Sequence, residues 1–430
     1  MKKKIIFYSG HCEIVGGDAK YILELVSNLN TNDYDFKIYS DINPAFEKRA
    51  KQWLTKDISI NYIDTLPRLL QTKDKYNLRS TLKKHSLIHN FLSFILFWFP
   101  ILKLIRKLRK FMLFENYREN KHNIKVFEKI FKEESPVEIF HFNNGGYPAK
   151  IAGLMGIKAA KKCGVQKTIM TIQNLPAPKN KFSLNEHMID KMIISNCDTI
   201  IPVADKLREN LVKKRGFNPN KIKTIYHGLY DRESLSIKER IIKREELGIA
   251  NNIPLLIIVS NLAEDRKGHF YLFKAISEVK KVVSNIKLLV VGGGVKKHEF
   301  EKLAKDLNLI KHITFLGHRN DIGELNDICD IAIVPSIEYE GIPYTIREAM
   351  RSSKPVITTK AGGCDEAIQD GINGRIVKEK CFKELTESIL ELINDDDKRE
   401  AFGKKGREIF VEKFLFSEMI IKHEVIYQEK

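Results

Sequence analysis

The chain has 430 residues, which exceeds the length at which a single hydrophobic core stops growing, so two domains are expected. Hydrophobic residues make up 43% of it, and 73 Lys and Arg against 55 Asp and Glu give a net charge of +18. This excess favours an anionic partner, such as nucleic acid, anionic lipid or a phosphate-bearing substrate. The six cysteines are far apart and form no C-x-x-C pair, which argues against a zinc site or a disulfide framework and fits a reducing cytoplasm.

Taken in chain order, short apolar runs alternate with amphipathic helical patterns, such as those at 19–30 and 269–283. The start, MKKKIIFYSG, has an apolar run too short for a secretory signal and predicts a first buried strand. Runs of strand length lie at 3–9, 36–40, 137–142, 166–172, 197–203, 254–260, 286–292, 312–317, 329–335 and 354–359. This alternation predicts an α/β fold with parallel sheets covered by helices on both faces.

The alternation occurs twice, before about residue 205 and after about 250, and the segment 227–245 between them is polar and charged. We therefore expect two doubly wound domains that face each other across a cleft. Ligands of such sheets bind beyond the carboxyl ends of the strands, so the cleft is the expected site.

The region 66–125 interrupts the alternation because it is helical, apolar and basic. After Pro100, apolar residues recur at helical spacing through 101–112, and Lys103, Lys107 and Lys110 lie on another face. Such a helix suits an anionic membrane surface. The alternative is an ordinary helix packed on the first domain with a solvated basic face. Nucleic acid is less favoured, since no nucleic-acid-binding motif is recognisable.

Two strand ends carry residues suited to phosphate, and a third is rich in glycine. Gly16 and Gly17 follow the first strand and open a helix, so backbone amides there can approach a phosphate, although a simple tight turn is equally expected. Arg266 and Lys267 follow a strand at 254–260 and are well placed for a diphosphate, or are a solvated pair. The glycine-rich unit at 288–300 lacks a complete G-x-G-x-x-G, which argues against a dinucleotide site.

A fourth strand end carries two carboxylates in YEGIPYTIREAM, at 339–350. Glu340 lies on the loop, Pro343 is favoured at the first turn of a helix, and Glu348 lies on that helix. The amides of 341–344 can hold an anion. The segment 358–377 repeats the pattern, with Gly-Gly followed by Glu366.

The segment 335–377 resembles the signature of retaining glycosyltransferases of family 4, also called glycosyl transferases group 1. It carries their E-x(7)-E motif in Glu340 and Glu348, the Gly-Gly before Glu366 and an Asn-Gly at 373–374. Supporting matches lie in GGDAKYILELVSNL near the start, YHG at 226–228, RKG at 266–268 and DIAIVPS at 330–336.

The resemblance implies a GT-B fold with two Rossmann-like domains, 1–226 on the acceptor side and 227–410 on the nucleotide-sugar side. It implies that the last segment, 411–430, is a helix returning to the first domain. It also implies a nucleotide-diphosphate-sugar donor, with no metal and no separate cofactor.

The resemblance also implies roles for individual residues. Glu348 binds the donor ribose and Glu340 lies by the donor sugar, beside the turn formed by Gly341, Ile342 and Pro343. Lys267, with Arg266, holds the diphosphate, which Gly17 meets from the other side. His141 faces the donor sugar, unless it is a buried structural histidine. Asn261 departs from the family because many relatives have an arginine there, and Pro343 stands where many have glycine.

The function implied is a retaining, metal-independent transfer of a hexosyl or N-acetylhexosaminyl group. The donor is of the UDP or GDP type, with a UDP-sugar expected, and the acceptor is a lipid-linked or cell-envelope polysaccharide. The protein is then cytoplasmic and peripheral on the inner face of the cell membrane, with no nucleic-acid partner. The alternatives are a nucleotide-sugar epimerase of GT-B fold and a non-catalytic membrane-surface scaffold.

Overall fold

The computed structural model describes residues 2–10, 17–41, 60–65, 117–178, 184–338 and 340–429. The chain divides into two compact units, one of Met1–Met170 with Asn180–Thr199 and one of Thr171–Lys179 with Ile200–Lys430. The domain limits expected from the sequence stay a prediction.

The first sheet has six strands in the order β3-β2-β1-β4-β5-β6, and β1 pairs in parallel with both β2 and β4. Its strands are β1 Lys3–Ser9, β2 Tyr34–Asp41, β3 Ile60–Ile63, β4 Ile139–Asn144, β5 Lys167–Ile172 and β6 Thr199–Pro202. The helices that follow these strands are α1 Gly17–Asn28, α2 at 117–133, α3 Ile151–Lys162 and α4 Leu184–Asn196. Helix α5, Asp205–Arg215, follows β6 and belongs to the second unit.

The second sheet also has six strands, in the order β12-β11-β10-β7-β8-β9, and every neighbouring pair in it is parallel. Its strands are β7 Leu255–Val259, β8 Lys287–Val291, β9 Ile313–Gly317, β10 Ile331–Val334, β11 Val356–Thr359 and β12 Gly374–Val377. The helices are α6 Ile237–Glu246, α7 His269–Val279, α8 Lys297–Asp306, α9 Ile322–Ile328, α10 Tyr344–Arg351, α11 Cys364–Ala367, α12 Phe382–Ile393, α13 Asp396–Lys413 and α14 Phe416–Gln428.

The core of the second sheet explains why its central strands β7 and β10 are apolar throughout. Leu256 and Ile258 of β7 lie in one buried cluster with Phe273 of α7 and Ile389 of α12. Each fully buried side chain of this kind stabilises the fold by about 1.5–3 kcal/mol relative to exposure. The packed core therefore holds the strand ends in place, and the loops extend from them.

The predicted α/β class is confirmed, and each predicted strand is found with its ends shifted by a few residues. The predicted helices at 19–30 and 269–283 correspond to α1 and α7. The sequence reading missed β3 and β12, which are short edge strands. The predicted basic helix at 101–112 lies outside the described residues, as do 66–116 in general. Within the described part of the chain, the longest apolar helices fall short of what crossing a bilayer requires.

Candidate functional site

The predicted site residues of the second unit gather where the strand order of its sheet reverses. β7 lies beside β10, although β8 and β9 intervene in sequence. Such a reversal opens a crevice at the carboxyl ends of the two strands, where ligands of doubly wound sheets bind. Arg266 and Lys267 follow β7, and Glu340 follows β10, so both loops reach this crevice.

Two glycines allow the loops after β7, β10 and β11 to pack backbone against backbone. Gly268 has a φ of 77°, and a Cβ there would lie 1.9 Å from the carbonyl oxygen of Pro335. Gly362 has a φ of 66°, and a Cβ there would lie 1.8 Å from the carbonyl oxygen of Glu340. Only glycine fits both the dihedral angles and the space. The three loops are therefore held in one arrangement.

Glu340 is the centre of this arrangement. Its side chain is only 6% exposed, and one carboxylate oxygen, Oε1, accepts three hydrogen bonds. The donors are Arg266 Nη1 at 2.8 Å, Lys267 Nζ at 2.5 Å and Ser336 Oγ at 3.0 Å. Bonds between charged partners are stronger than neutral ones. The two cations that the sequence assigned to a diphosphate thus both bind the carboxylate assigned to the sugar.

Arg266 is held as a cation by its neighbours. Burial disfavours the charged guanidinium, but Glu340 and Glu264 outweigh it and hold the pKa of Arg266 above its ordinary value. Arg266 also donates from Nε to Glu264. The guanidinium is therefore available to an anion if Glu340 moves.

The helix α10 begins at Tyr344, directly after Pro343, and no side chain caps its start. Its first amides therefore carry the partial positive charge of an uncapped helix N-terminus. Pro343 precedes the helix rather than lying in its first turn, a shift of one residue from the expectation. The fully buried Arg347 donates to the carbonyl oxygens of Ile342, at 3.0 Å, and of His227. Arg347 thus fixes the turn before the helix.

Glu348 lies on α10 and is partly buried. Among the described residues, its carboxylate takes part in no hydrogen bond or ion pair of the kind that binds Glu340. The role toward a ribose that the family resemblance implies for Glu348 stays a prediction.

His269 was missed by sequence reasoning. It is fully buried at the start of α7, with Nε2 2.8 Å from Ser260 Oγ. Burial, assisted by the charge of Lys267, lowers the pKa of His269 to about 4. The ring is therefore neutral at physiological pH and adds no cation beside Lys267.

The arginine that the family resemblance leads one to expect at position 261 is replaced by Asn261. Arg266 and Lys267 are therefore the cations that meet at Glu340.

The two predicted site residues of the first unit are Gly17, on a helix, and His141, on a strand of the first sheet. Gly17 is the first residue of α1, which follows β1. His141 is fully buried on β4, with its ring centroid 5.4 Å from that of Phe7. This burial is what the structural alternative for His141 expects, and its role toward a donor stays a prediction.

A groove of about 890 Å³ lies at the other edge of the second sheet. Its walls include Asp330 and Pro355, which come just before β10 and β11, so it is far along the strands from Glu340. The charged side chains that line it are balanced in sign: Arg240, Lys354, Arg399, Lys404 and Arg407 against Asp330, Asp396, Glu400, Glu408 and Glu412. We assign the site by the convergence of charge on Glu340 rather than by the volume of this groove. The described residues include no cluster of His, Cys, Asp or Glu suited to a metal ion.

Comparison with known families bears on the same region. Residues 239–409 match the family model for glycosyl transferases group 1. The matched range contains the loops after β7, β10 and β11, and with them both glutamates of the E-x(7)-E motif.

Two curated relatives match part of the chain. The chain is 27% identical over 242 residues to N-acetyl-alpha-D-glucosaminyl L-malate synthase of Bacillus anthracis, covering 55% of this chain and 61% of that protein. It is 29% identical over 174 residues to a GDP-mannose-dependent alpha-(1-6)-phosphatidylinositol monomannoside mannosyltransferase of Mycobacterium tuberculosis. That match covers 39% of this chain and 44% of the mannosyltransferase. The chain therefore spans about half of the length of these relatives.

The fold as a whole is shared with a solved structure. HepE of Anabaena, in complex with UDP, superposes with a TM-score of 0.75 over 99% of both chains, at 18% sequence identity. This likeness confirms the predicted GT-B fold class. Together with the family match, it supports one class of protein, a glycosyltransferase.

Proposed function

We propose that this protein is a glycosyltransferase that takes its sugar from a nucleotide-diphosphate donor bound at the carboxyl edge of the second sheet. The observation that carries the proposal is the convergence of Arg266 and Lys267 on the buried Glu340, beside the uncapped start of α10. Cations, free amides and a carboxylate are the groups that a diphosphate linked to a sugar requires.

The chemistry follows from where charge develops. When the bond between the anomeric carbon and the phosphate oxygen breaks, the diphosphate gains negative charge and the sugar ring becomes positive. Arg266, Lys267 and the first amides of α10 would stabilise the leaving diphosphate, and such preorganised donors contribute about 2–4 kcal/mol each. Glu340, once the diphosphate has replaced it on the two cations, would hold sugar hydroxyls and favour the positive ring. Glu348 would bind the ribose.

We further propose that the two cations supply the charge that a metal ion supplies in other phosphate chemistry, so that turnover needs no added metal. The resemblance to the family motif supports retention of the anomeric configuration. A hexosyl or N-acetylhexosaminyl donor is in keeping with the two relatives, one named for a glucosaminyl product and one for GDP-mannose. The UDP complex of HepE supports a UDP-sugar.

The acceptor that we propose is a lipid-linked or cell-envelope glycan. Two observations support it: the named acceptor of the mycobacterial relative is a phosphatidylinositol monomannoside, and the net charge of +18 suits an anionic surface. Peripheral association with the inner face of the membrane, through the basic pattern at 101–112, belongs to the same proposal.

The proposal is tested by nucleotide release from UDP-glucose, UDP-N-acetylglucosamine and GDP-mannose, each with and without membrane lipid extract. We expect one donor to be consumed, and faster with the extract. Glu348→Ala should lower that turnover by about 100-fold or more, since it removes ribose binding needed for positioning, while the melting temperature stays the same. The matched control is Glu338→Ala, in an exposed position of the loop after β10.

Full activity of the Glu348→Ala variant would overturn the site assignment. Interconversion of the nucleotide sugar without an acceptor would instead favour an epimerase, whereas slow hydrolysis of the donor would not. Binding to anionic liposomes without any consumption of donor would favour a non-catalytic scaffold.

A further inference from the structure

Glu366, in the short helix α11 after β11, binds the start of another helix. Its carboxylate accepts hydrogen bonds from the backbone N–H groups of Asp205 and Lys206, both at 2.7 Å. These are the first two amides of α5. The residue before them, Ala204, has an extended backbone and no side chain that could accept. Glu366 therefore serves as the cap of α5 from more than 150 positions away in sequence.

The contact belongs to a closed polar network. The hydroxyl of Tyr226 lies 3.1 Å from Glu366 and 3.2 Å from Asp205, and Thr224 donates to Asp205 at 2.6 Å. Burial and the two carboxylates raise the pKa of Tyr226 above its ordinary range, so the phenol keeps its proton and can donate. The phenol has one proton to donate, and when it goes to Asp205 every carboxylate oxygen of the pair has a donor, since Glu366 accepts from the two backbone N–H groups. Satisfied networks of this kind rigidify the groups that they join.

The network is continuous with the candidate site through backbone contacts. Gly363 donates its N–H to the carbonyl oxygen of Gly341 at 3.0 Å. A Cβ added at Gly363 would lie 2.8 Å from Cβ of Ala204 and 3.3 Å from that same carbonyl oxygen. Gly362, one position earlier, packs against the carbonyl of Glu340. The start of α5 therefore touches the turn that supports Glu340 and Gly341.

We propose that Glu366 is a positioning residue of the donor site: by holding the start of α5 against the turn of Gly362 and Gly363, it sets the placement of Glu340 and Gly341. This inference rests on the proposed function, because the placement matters only if that loop receives the donor. A residue that merely capped α5 would stabilise the fold and leave the site unaffected.

Capping α5 and positioning the loop of Glu340 are distinguished by a second substitution. It restores a cap to α5 but not the contact between α5 and residue 366. In Glu366→Ala, α5 loses its acceptor. Adding Ala204→Ser places a hydroxyl at the cap position itself, where serine is among the preferred residues. Asp365→Asn, which removes the neighbouring carboxylate, is the matched control for lost charge. Glu366→Gln is the conservative variant, since its amide oxygen can still accept.

We expect Glu366→Ala to lower the melting temperature by about 2–4 °C, because α5 loses its cap. Its kcat for the consumed donor should fall about 10- to 100-fold, since a misplacement of about 1 Å can cost about 100-fold. Ala204→Ser in the Glu366→Ala background should restore the melting temperature but not kcat. Glu366→Gln should keep most of the rate, and Asp365→Asn all of it.

Recovery of both melting temperature and kcat in the double variant would overturn the proposal, and so would wild-type kcat in Glu366→Ala. Hydrogen exchange of the amides of 341–346, measured without any donor, gives a readout that does not depend on activity. It should be faster in the double variant than in the wild type, and equal exchange would again overturn the inference. If the wild type consumes no donor, the proposed function fails, and the exchange comparison still decides whether Glu366 places the loop.

Discussion

The two edges of the second sheet are both rich in charge, but they arrange it differently. At the amino edge, around the groove, cations have acids of their own: Arg407 pairs with Asp231 through two bonds of 2.6 and 2.7 Å, and Arg399 pairs with Asp396. At the carboxyl edge, Arg266 and Lys267 both bind the buried Glu340, and Arg266 also pairs with Glu264, which is more exposed. Matched pairs satisfy one another and stabilise a surface, whereas two cations that meet at one buried carboxylate are placed to bind one further anion together.

The candidate site and the groove also differ in how they were recognised, the first by converging charge and the second by cavity volume. The groove at the amino edge is large and open to solvent, yet its charges balance. The carboxyl edge is built from loops that glycines bring into backbone contact, which places several donors at one point. Preorganised donors of this kind, rather than space alone, allow a developing charge to be stabilised.

The strongest test of the comparison removes the cations at one edge and then at the other. Arg266→Ala with Lys267→Ala should weaken UDP binding by about 100-fold or more, because two charge-assisted hydrogen bonds to phosphate are lost. Lys404→Ala with Arg407→Ala removes equal charge at the groove and should leave the affinity within about 3-fold. Isothermal titration with UDP measures both. Equal losses in the two variants would mean that only net charge matters.

Acid should affect the two edges in different pH ranges. Because the pKa of buried His269 is lowered to about 4, the unfolded chain, with an ordinary value near 6.5, takes up the proton first as pH falls. The free energy of unfolding should therefore fall between about pH 6.5 and 4, by up to about 3 kcal/mol for this residue. At the amino edge, Arg407 lowers the pKa of Asp231. The stabilisation of the fold by this ion pair is therefore kept above about pH 4 and lost only below it.

Urea unfolding at pH 7, 5.5 and 4.5 measures the slope of the free energy of unfolding against pH. His423, fully buried on α14 with a pKa also lowered to about 4, adds a similar amount. His269→Gln keeps a polar partner for Ser260 but does not titrate, so it should remove roughly half of the slope. An unchanged slope in this variant would show that His269 is not held neutral at the carboxyl edge.

A third test removes the charge of Glu340, which binds both Arg266 and Lys267. Glu340→Gln should strengthen UDP binding by about 10-fold, because Arg266 and Lys267 lose the anion that competes with the diphosphate. The same variant should turn over the donor more slowly, since the carboxylate for the sugar is gone. Glu338→Gln changes the net charge equally in the same loop and should alter neither quantity. Weaker UDP binding in Glu340→Gln would contradict the assignment of the two cations to the diphosphate.

The smallest effect is expected at the amino edge. Arg407→Ala breaks an ion pair whose partners are about one third exposed, and such surface pairs contribute about 0–1 kcal/mol. The melting temperature should change by a few degrees at most, and donor turnover should be unaffected. A strong loss of turnover in this variant would give the groove a role in function that its charge balance does not suggest.

Much of the fold was predictable because a buried strand is encoded by a run of apolar residues. The apolar runs of β7, β8 and β10 stand out, since both faces of a parallel sheet are covered by helices. β12, with only Gly374–Val377, and β3 lie at the edges of their sheets. They are short and only half-buried, so no strong apolar run marks them.

The site was predictable as a set of residues but not as a set of contacts. Glu340, Glu348, Arg266 and Lys267 were found through strand ends and the family motif. That Glu340 binds both cations depends on β7 lying beside β10, which sheet order decides and local periodicity does not reveal. The capping of α5 by Glu366 joins residues 161 positions apart, a separation at which local periodicity gives no signal either. Its one local signal is the absence of a capping side chain at Ala204.

Hydrogen exchange of the full chain, with and without saturating UDP, tests the central claim most directly. If the donor binds at the carboxyl edge of the second sheet, UDP should slow exchange in 260–268 and 340–348, and leave 396–412, along the groove, unchanged. Protection confined to 396–412, or no protection anywhere, would contradict the account.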